Sequence, residues 1–455
     1  MNKNDIVEVL ITDVSNQGSG VGKYDGITVF VPETAIGDRA RVRILKVKKG
    51  YCFGKLEELV EASSCRIEKD CSVFPRCGGC AYRHISYEAE CDLKENQVYN
   101  CIKRIGGIDL KPQKIVSGEY NRYRNKAQYP ISAEGSMGFY AVHSHRVIPV
   151  CDCLLEPTEF SYATKAVSEW IKENNISVYS EENKKGLLRH FYLRKGFKSH
   201  EIMAVMVING DALPQKDQFI EVLKSVFGEN LKSVCLNINK NDNNVVLGKE
   251  NICIYGESYI NDTLCEVDIR ISPNSFYQVN RDMAEKLYGI AKAYAEPKGK
   301  TILDLYCGAG TIGLSMADTA KKIIGVEIVP EAVEDAKRNA KAAGIENAEF
   351  ICGDAFAAAK ELAARNIAPH VVIVDPPRKG CEEDLLKLIA NSFKPEKLVY
   401  VSCDEATLSR DVAILNQMGY KLIEYTPVDL FPRTVHVETV ALLVRTVSTM
   451  NCANA

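Results

Sequence analysis

The stretch TILDLYCGAGTIGL, residues 301–314, decides the fold of this chain of 455 residues. An apolar run that includes the carboxylate of Asp304 is followed by a glycine-rich turn and the start of a helix. Glycines in such a turn let the backbone bend sharply and approach a bound ligand. The stretch therefore predicts the first strand, turn and helix of a doubly wound parallel sheet with a ligand at its edge.

Strand-like and helix-like segments then alternate to the C-terminus. The strand-like runs that follow are KIIGVE, AEFIC, HVVIVD, KLVYVS, YKLIEY and VALLVR. This rhythm predicts a Rossmann-like α/β domain over residues 276–455. The last two runs predict an antiparallel hairpin, which fits the seven-stranded sheet of a class I methyltransferase better than the six-stranded sheet of a dehydrogenase.

Carboxylates stand at or near the ends of the first three predicted strands, where ligands bind in such sheets. Asp304 precedes the glycines, where it would repel a dinucleotide pyrophosphate but not a sulfonium amino acid. Glu327 can accept both hydroxyls of a ribose, and Asp354 can reach an adenine edge. Taken singly, Glu327 or Asp354 reads equally well as a solvated loop residue. The set as a whole favours S-adenosylmethionine over NAD as the cofactor.

Two polar segments follow the fourth and fifth predicted strands: VDPPRKG at 374–380 and VSCDEAT at 401–407. Methyltransferases that act on amines place an aromatic residue after the two prolines, where it stacks on the exocyclic amine. Arg378 stands there in this chain, which disfavours an amine target. Carbon 5 of uracil fits better, because a thiolate added at carbon 6 makes carbon 5 nucleophilic.

Cys403 is the candidate nucleophile, since it lies between the fifth strand and a helix that begins near Glu405. The helix N-terminus is expected to stabilise the thiolate and lower its pKa. Glu438 is the candidate base that removes the carbon 5 proton. His436 is either a second candidate or an orienting imidazole. Alternatively, Cys403 is a buried small residue without a chemical role, as we expect for most of the 17 cysteines.

Short strands punctuated by glycines predict a β-barrel of the OB type over residues 1–60. Within it, Arg39, Arg41 and Arg43 alternate with apolar residues, so that their guanidinium groups share one face of a strand. Such a face either binds RNA or is a charged edge that discourages aggregation. The barrel context favours RNA.

Residues 61–275 form a predicted central α+β domain, with one helix over 87–107 that can pack on the catalytic domain and another near 160–173. Two of its segments, RYRNK at 122–126 and LRHFYLR at 188–194, interleave cations with aromatic rings. This mixture is typical of surfaces that bind phosphates and stack unpaired bases, and it favours RNA binding.

A cysteine-rich segment opens the central domain. The candidate ligands of a metal centre are Cys71, Cys77, Cys80, Cys151 and Cys153, with Cys65 as a weaker candidate. Four thiolates hold either a zinc ion or an iron-sulfur cluster, and spacing alone leaves both open. The formal net charge of -3 gives no global sign of nucleic-acid binding. With neither a signal peptide nor a membrane-length apolar run, we expect a cytoplasmic monomer without a membrane segment.

Jointly, these motifs resemble the RNA (uracil-5-)-methyltransferase family, and within it the bacterial 23S rRNA branch with a TRAM barrel and an iron-sulfur cluster. The resemblance covers essentially the whole chain. It rests most strongly on the segments SPNSFYQVN, DLYCGAGTIGL, DPPRKG, VSCDEATLSRD and DLFPRTVHVETV. It implies the formation of 5-methyluridine in a 23S rRNA loop, with the target uridine flipped out. The alternatives are a tRNA uridine methyltransferase and a noncatalytic RNA-binding iron-sulfur protein.

The resemblance also implies roles for individual residues. The cofactor pocket would be lined by Gln278, Tyr306, Thr311, Glu327, Asp354 and Asp375. Cys403 would be the nucleophile and Glu438 the base, while Phe276 would stack near the cofactor or the flipped base. A structural 4Fe-4S cluster would be held by Cys71, Cys77, Cys80 and Cys153. Asp404 and Thr311 depart from the family, which commonly carries Asn at both positions.

Overall fold

Strands at the N-terminus close into a barrel in the computed structural model, which describes residues 1–142 and 144–446. They are β1 (Ile6–Val14), β2 (Gly20–Tyr24), β3 (Ile27–Val31), β4 (Arg39–Lys48) and β5 (Tyr51–Glu61). Their order around the barrel is β1-β2-β3-β5-β4, with β3 and β5 parallel. Alternate residues such as Val9 and Val42 fill the interior, so the barrel has a hydrophobic core of its own.

The cysteine-rich segment leads from the barrel into α1 (Tyr87–Arg104). Ser86 caps this helix by accepting the N–H of Ala89 at 3.2 Å. Val98 and Ile102 of α1 are buried in the same hydrophobic core as the C-terminal sheet. The helix therefore packs on the C-terminal domain.

The central sheet has the order β12-β11-β10-β9-β6. The elements of this region are β6 (Lys126–Pro130), β7 (Gly138–Tyr140), β8 (Val147–Pro149), α2 (Thr158–Glu173), β9 (Leu188–Lys195), β10 (Ile202–Ile208), α3 (Lys216–Phe227), β11 (Leu231–Ile238), β12 (Glu250–Gly256), β13 (Ile260–Leu264) and β14 (Val267–Ile271). Trp170 of α2 packs against Phe219 of α3, so both helices belong to one core with the sheet. Helix α3 was not anticipated, although Phe219, Leu223 and Phe227 recur at helical spacing.

The C-terminal domain is a seven-stranded sheet in the order β17-β16-β15-β18-β19-β21-β20. Its elements are α4 (Arg281–Ala295), β15 (Thr301–Leu305), α5 (Thr311–Leu314), β16 (Lys322–Glu327), α6 (Pro330–Ala342), β17 (Ala348–Cys352), α7 (Ala355–Ala364), β18 (Val371–Val374), α8 (Glu383–Leu388), β19 (Lys397–Ser402), α9 (Glu405–Gln417), β20 (Tyr420–Val428) and β21 (Glu438–Arg445). Strand order reverses between β15 and β18, which is where such sheets bind ligands. The predicted Rossmann-like fold with a closing antiparallel hairpin is confirmed.

Charged side chains are fully buried between α1 and the chain that precedes β21. Lys94 donates from Nζ to Glu90 at 2.8 Å and to Asp429 at 2.7 Å. The main-chain N–H of Arg433 also donates to Glu90, at 2.6 Å. Because none of these three side chains is exposed, each ion depends on its partners for compensation. This buried ion network fixes the path of the chain towards Glu438.

None of the helices in the described ranges combines the length and the hydropathy that crossing a membrane requires.

Candidate active site

A cleft of about 2770 Å³ opens at the carboxyl edge of the C-terminal sheet and reaches the barrel and the central sheet. Every residue predicted for the cofactor pocket and the chemistry lies on its wall: Gln278, Tyr306, Thr311, Glu327, Asp354, Asp375, Cys403 and Glu438. Phe276, Arg378 and His436 line the same space. The fold therefore gathers these side chains around one cleft, although their individual roles stay predictions.

Cys403, Glu438 and Asp375 meet where three neighbouring strands end. Cys403 follows β19, Glu438 opens the antiparallel β21, and Asp375 follows β18 on the other side of β19. Burial, together with the charge of Asp375, raises the pKa of Glu438 to about 8. Burial and the charges of Glu438 and Asp375 raise the pKa of the Cys403 thiol to about 11. The three groups are thus electrostatically linked.

The predicted lowering of the Cys403 pKa is wrong. Helix α9 does begin at Glu405, but burial and the charges of Glu438 and Asp375 raise the thiol pKa. The guanidinium of Arg378 acts in the opposite direction on both Cys403 and Glu438. A cation bound beside the carboxylates would favour the thiolate further.

A fully buried carboxyl, Asp304, and a half-buried one, Asp375, lie at the switch point of the sheet, and of the two Asp375 lines the cleft. Burial raises the pKa of Asp375 to about 7, and burial with the charge of Asp375 raises that of Asp304 to about 7 despite a hydrogen bond from Gly313. Oδ2 of Asp304 accepts the Gly313 N–H at 3.0 Å, whereas its buried Oδ1 has no partner among the described residues. S-adenosylmethionine carries both a sulfonium and an ammonium group, so the donor set fits it.

Backbone amides hold Glu327 and Asp354 in place. Glu327 accepts the N–H groups of Gly308 at 3.0 Å and Val329 at 2.9 Å. Asp354 caps α7 by accepting two main-chain N–H groups, each at 3.0 Å. Carboxylate oxygens keep further lone pairs for ligand hydroxyl or amino groups. Neither side chain is therefore a loosely solvated loop carboxylate.

Tyr288 on α4 belongs to the site and was missed. Its buried hydroxyl accepts a hydrogen bond from Oγ1 of Thr311 at 3.3 Å. Burial raises the pKa of Tyr288, while the neighbouring Thr311 and Gln278 side chains act against it. Thr311 thus stays tied to the pocket wall although the family commonly has Asn there. No local signal marked Tyr288, which reads as one more apolar position of an amphipathic helix.

Asp404 has a local structural role. Its Oδ1 accepts the N–H groups of Ala406 at 3.1 Å and Thr407 at 2.9 Å and so caps α9. Asp and Asn are about equally good at a helix N-cap. The departure from the family at this position therefore preserves the cap beside Cys403.

The loop that carries Arg378 is anchored to α9 by Asp411, which is fully buried and was not predicted. Asp411 accepts the Cys381 N–H at 2.8 Å and the Tyr400 hydroxyl at 2.6 Å. Nη2 of Arg378 lies 3.3 Å from Nε2 of His436. Burial and the Arg378 charge lower the pKa of His436, which favours a neutral imidazole there.

The segment LRHFYLR does not form the predicted RNA surface, because it is the buried strand β9. Arg194 is 1% exposed and donates to the carbonyls of Ser272 and Ser275. In the other predicted segment, Arg122 pairs with Asp152 at 2.7 Å. Arg124 and Lys126 line the cleft and form no ion pair within the described part of the chain. They are the cations of these two segments that can face RNA in the cleft.

The arginine face of the barrel is matched by glutamates. Arg41 pairs with Glu58 and Arg43 with Glu57, each at 2.8 Å, because β4 and β5 are antiparallel neighbours. Arg39 lies between Glu8 and Glu61 at 3.3 and 3.5 Å. These ion pairs favour the charged-edge alternative for the arginines, whose binding of RNA stays a prediction.

The predicted cluster ligands share one neighbourhood. Burial raises the pKa values of the Cys77, Cys80 and Cys153 thiols, and Cys77 and Cys80 add to the effect at Cys153. Cys71 acts on Cys77 and Cys80 in the same way, so the four thiols influence one another's ionisation. Cys151 is exposed. Residues 1–142 and 144–446 contain no group of three or more His, Cys, Asp or Glu side chains spaced to hold a metal ion.

A Rossmann-like sheet with these acidic strand ends defines a class I methyltransferase, here joined to a small barrel. A sequence model of the tRNA (Uracil-5-)-methyltransferase family matches residues 86–446, and one of the TRAM domain matches residues 2–56. The chain therefore belongs to the tRNA (uracil-5-)-methyltransferase family. It is an S-adenosylmethionine-dependent RNA methyltransferase, as the resemblance implies, and the noncatalytic alternative is set aside.

Known proteins similar to this chain span almost its whole length. A protein of Clostridium acetobutylicum described as an uncharacterized RNA methyltransferase is 44% identical over 452 residues, covering 97% of this chain and 98% of its own. Another of that description, from Halalkalibacterium halodurans, is 43% identical with the same shares covered. A solved structure, the Pyrococcus abyssi tRNA (uracil-54, C5)-methyltransferase in complex with S-adenosyl-L-homocysteine, has a TM-score of 0.77 at 28% identity. It covers 96% of this chain and 100% of its own.

Proposed function

We propose that this chain methylates carbon 5 of a uridine in 23S rRNA, giving 5-methyluridine through a covalent adduct with Cys403. The observation that carries the proposal is the meeting of Cys403, Glu438 and Asp375 on the wall of the cleft. A nucleophilic thiol and a carboxylate base are the two groups that this reaction needs.

The chain's residues act in sequence on the flipped base. The Cys403 thiolate adds to carbon 6, and the electrons of the 5,6 double bond move towards oxygen 4 as an enolate. S-adenosylmethionine, when bound, would supply an electrophilic methyl group to carbon 5, and its bond from sulfur to methyl would break to leave S-adenosylhomocysteine. Ionised Glu438 then removes the proton from carbon 5, and the bond from sulfur to carbon 6 breaks. The double bond is restored and the thiolate is released.

We propose that Gln278, Tyr306, Thr311, Glu327, Asp354 and Asp375 bind the cofactor. The position of all six on the lining of the cleft supports this assignment. Phe276 projects from the same region and is 71% exposed, which suits an aromatic ring that stacks on a ligand. The target base would enter between this ring and Cys403.

We also propose a structural 4Fe-4S cluster held by Cys71, Cys77, Cys80 and Cys153. The influence of the four thiols on one another's pKa supports it, and the Gly79 N–H lies 3.4 Å from Sγ of Cys77, a contact typical of cluster sulfurs. Anaerobic purification with iron and acid-labile sulfide analysis tests the proposal. Cys153→Ser should lose the cluster, whereas the exposed Cys151→Ser should keep it. Equal iron and sulfide in the two variants would contradict the ligand set.

A tRNA uridine is the second candidate substrate. The tRNA (uracil-54, C5)-methyltransferase of Pyrococcus abyssi matches 96% of this chain, barrel and central domain included. The presence of these two domains therefore does not by itself favour rRNA over tRNA.

Mapping 5-methyluridine by mass spectrometry in a deletion strain separates the candidates. We expect the modification to disappear from 23S rRNA and to return with the wild-type gene but not with Cys403→Ala. Its loss from tRNA alone would favour the second candidate. Unchanged 5-methyluridine in both RNAs would contradict both proposals.

A further inference from the structure

Three aromatic rings form a cluster on the outside of the barrel, away from the cleft. Phe30 of β3 and Tyr51 and Phe53 of β5 have ring centroids 5.6 to 5.9 Å apart. Tyr51 is 38% exposed and Phe53 is 42% exposed. None of the three rings lines the cleft. We call Phe30, Tyr51 and Phe53 the barrel platform.

The strand register places lysines on both sides of this platform. In one row across the sheet, Lys46 of β4 lies opposite Phe53, which lies opposite Phe30. In the next row, Lys48 lies opposite Tyr51, and Thr28 separates Tyr51 from Lys23 of β2. Directly opposed residues project from the same face of a sheet. Lys23, Lys46 and Lys48 are therefore the flanking lysines of the platform.

The flanking lysines differ from the arginines on the other half of β4. Within the described residues, Lys23, Lys46 and Lys48 form neither an ion pair nor a side-chain hydrogen bond, whereas the arginine face is matched by glutamates. Glu57, which follows the platform on β5, is held by Arg43 at 2.8 Å. The platform end of the barrel thus presents free positive charge, while the other end is neutralised.

We propose that the barrel platform and its flanking lysines bind a single-stranded segment of RNA. Exposed rings beside unpaired cations are the features with which sheet surfaces bind single strands, through base stacking and phosphate contacts. The positive charge favours a polyanion over a protein or an uncharged surface. The proposal rests on the RNA substrate of the proposed function and adds a second contact outside the cleft, on an unpaired stretch other than the target uridine.

Binding of a fluorescein-labelled oligouridylate to the full-length protein, followed by anisotropy, tests the platform. Stacking is worth ~1–3 kcal/mol per base, so Tyr51→Leu/Phe53→Leu should weaken binding about tenfold or more while keeping apolar contacts within the barrel. Lys46→Gln/Lys48→Gln should lower the slope of log affinity against log salt by about 1.4, since each phosphate contact on a single strand contributes about 0.7. The matched control, Arg39→Gln/Arg41→Gln, should change neither quantity.

Photocrosslinking adds a direct readout. An oligouridylate that contains 5-iodouridine should crosslink to a peptide that includes Tyr51 or Phe53. The proposal would be overturned if Tyr51→Leu/Phe53→Leu bound oligouridylate with wild-type affinity, or if all crosslinks lay in the cleft. The platform would then bind a partner other than RNA.

The two proposals fail in different ways. Affinity for S-adenosylhomocysteine, measured by calorimetry, should be unchanged in the platform variants, and a fall would mean that the fold is damaged. In that case the lysine variant, which removes no apolar contact, decides the test. If the wild type transfers methyl groups but the variants bind oligouridylate as well as the wild type, only the platform proposal is contradicted. If the variants bind oligouridylate more weakly but the wild type transfers no methyl group, only the proposed methylation of uridine is contradicted.

Discussion

Cys403 and Glu438 occupy the two positions at which the ladder between β19 and β21 would continue. Its last pair joins Ser402 and Thr439, so the next residues along the two strands are Cys403 and Glu438. A thiol and a carboxyl from segments far apart in sequence are thereby placed side by side. Antiparallel pairing, rather than a loop, positions them, and sites on strands are held more rigidly than sites on loops.

Replacing Cys403 by Ala should lower methyl transfer by about 10³-fold or more, because the covalent route is lost. Affinity for S-adenosylhomocysteine should not change. A radiolabelled methyl transfer assay with RNA from the deletion strain measures the first quantity. Cys253→Ser, an exposed cysteine on β12, is the control and should keep full activity. Substantial activity in Cys403→Ala would rule out the thiol mechanism.

Glu438→Gln should trap the reaction after methyl transfer, since no base removes the carbon 5 proton. General-base catalysis contributes about 10²–10⁴-fold, so turnover should fall by that factor. A covalent complex of protein and RNA should accumulate and survive denaturing electrophoresis. Normal turnover without such a complex would assign the base to another residue, with His436 as the first to test.

Activity should rise with pH through about 8, the raised pKa of Glu438, because this group works only when ionised. The thiolate fraction of Cys403 also rises with pH, and the raised pKa of this thiol keeps it rising above pH 8. Arg378→Gln should move the kcat/KM profile to higher pH, because the guanidinium lowers both pKa values. Lys379→Gln, on the same loop, should leave the profile in place. A profile that falls across this range would contradict the assignment.

Lys94→Met should destabilise the protein by about 3–5 kcal/mol, since it leaves the buried Glu90 and Asp429 without their cation. Lys103→Met on the same helix breaks an exposed pair with Asp109 and should leave the free energy of unfolding nearly unchanged. Urea unfolding measures both free energies. Similar values for the two variants would show that the buried ion network adds little to stability.

Asp404→Asn should change the free energy of unfolding by less than about 0.5 kcal/mol, because Asn caps a helix as well as Asp. Asp404→Ala should cost about 1 kcal/mol, since the N–H groups of Ala406 and Thr407 lose their acceptor. Thermal unfolding followed by circular dichroism compares them. If Asn were as harmful as Ala, the charge of Asp404 would matter more than its cap.

The C-terminal sheet and the positions of the polar residues at its edge were predictable from the sequence. Parallel strands buried on both faces read as continuous apolar runs, and the residue that ends each run lies at the ligand-binding edge. Asp375 and Cys403 were located in this way. Tyr288 was not, because an inward-facing ring on an amphipathic helix looks the same whether it packs in a core or lines a pocket.

The partners of charged residues were not predictable. Arg194 bonds to the carbonyl of Ser272, 78 positions away, and nothing near Arg194 in the sequence marks that contact. Burial and the charges of two acids from other segments, Glu438 and Asp375, raise the pKa of Cys403, opposite to the shift that the local helix had suggested. Charges that are distant in sequence thus influence the pKa values of the site, and the local sequence pattern does not reveal them.

The buried ion network also constrains when the enzyme can form during synthesis. Lys94 and Asp429 are separated by 335 positions, and Glu438 comes from the last strand. While the chain grows from its N-terminus, Lys94 and Glu90 stay without Asp429 and Arg433 until the segment after β20 has been made. The barrel, whose strands all lie within the first 61 residues, has its full set of contacts long before that. The barrel is therefore complete early, and Cys403 and Glu438 come together only after β21 has been made.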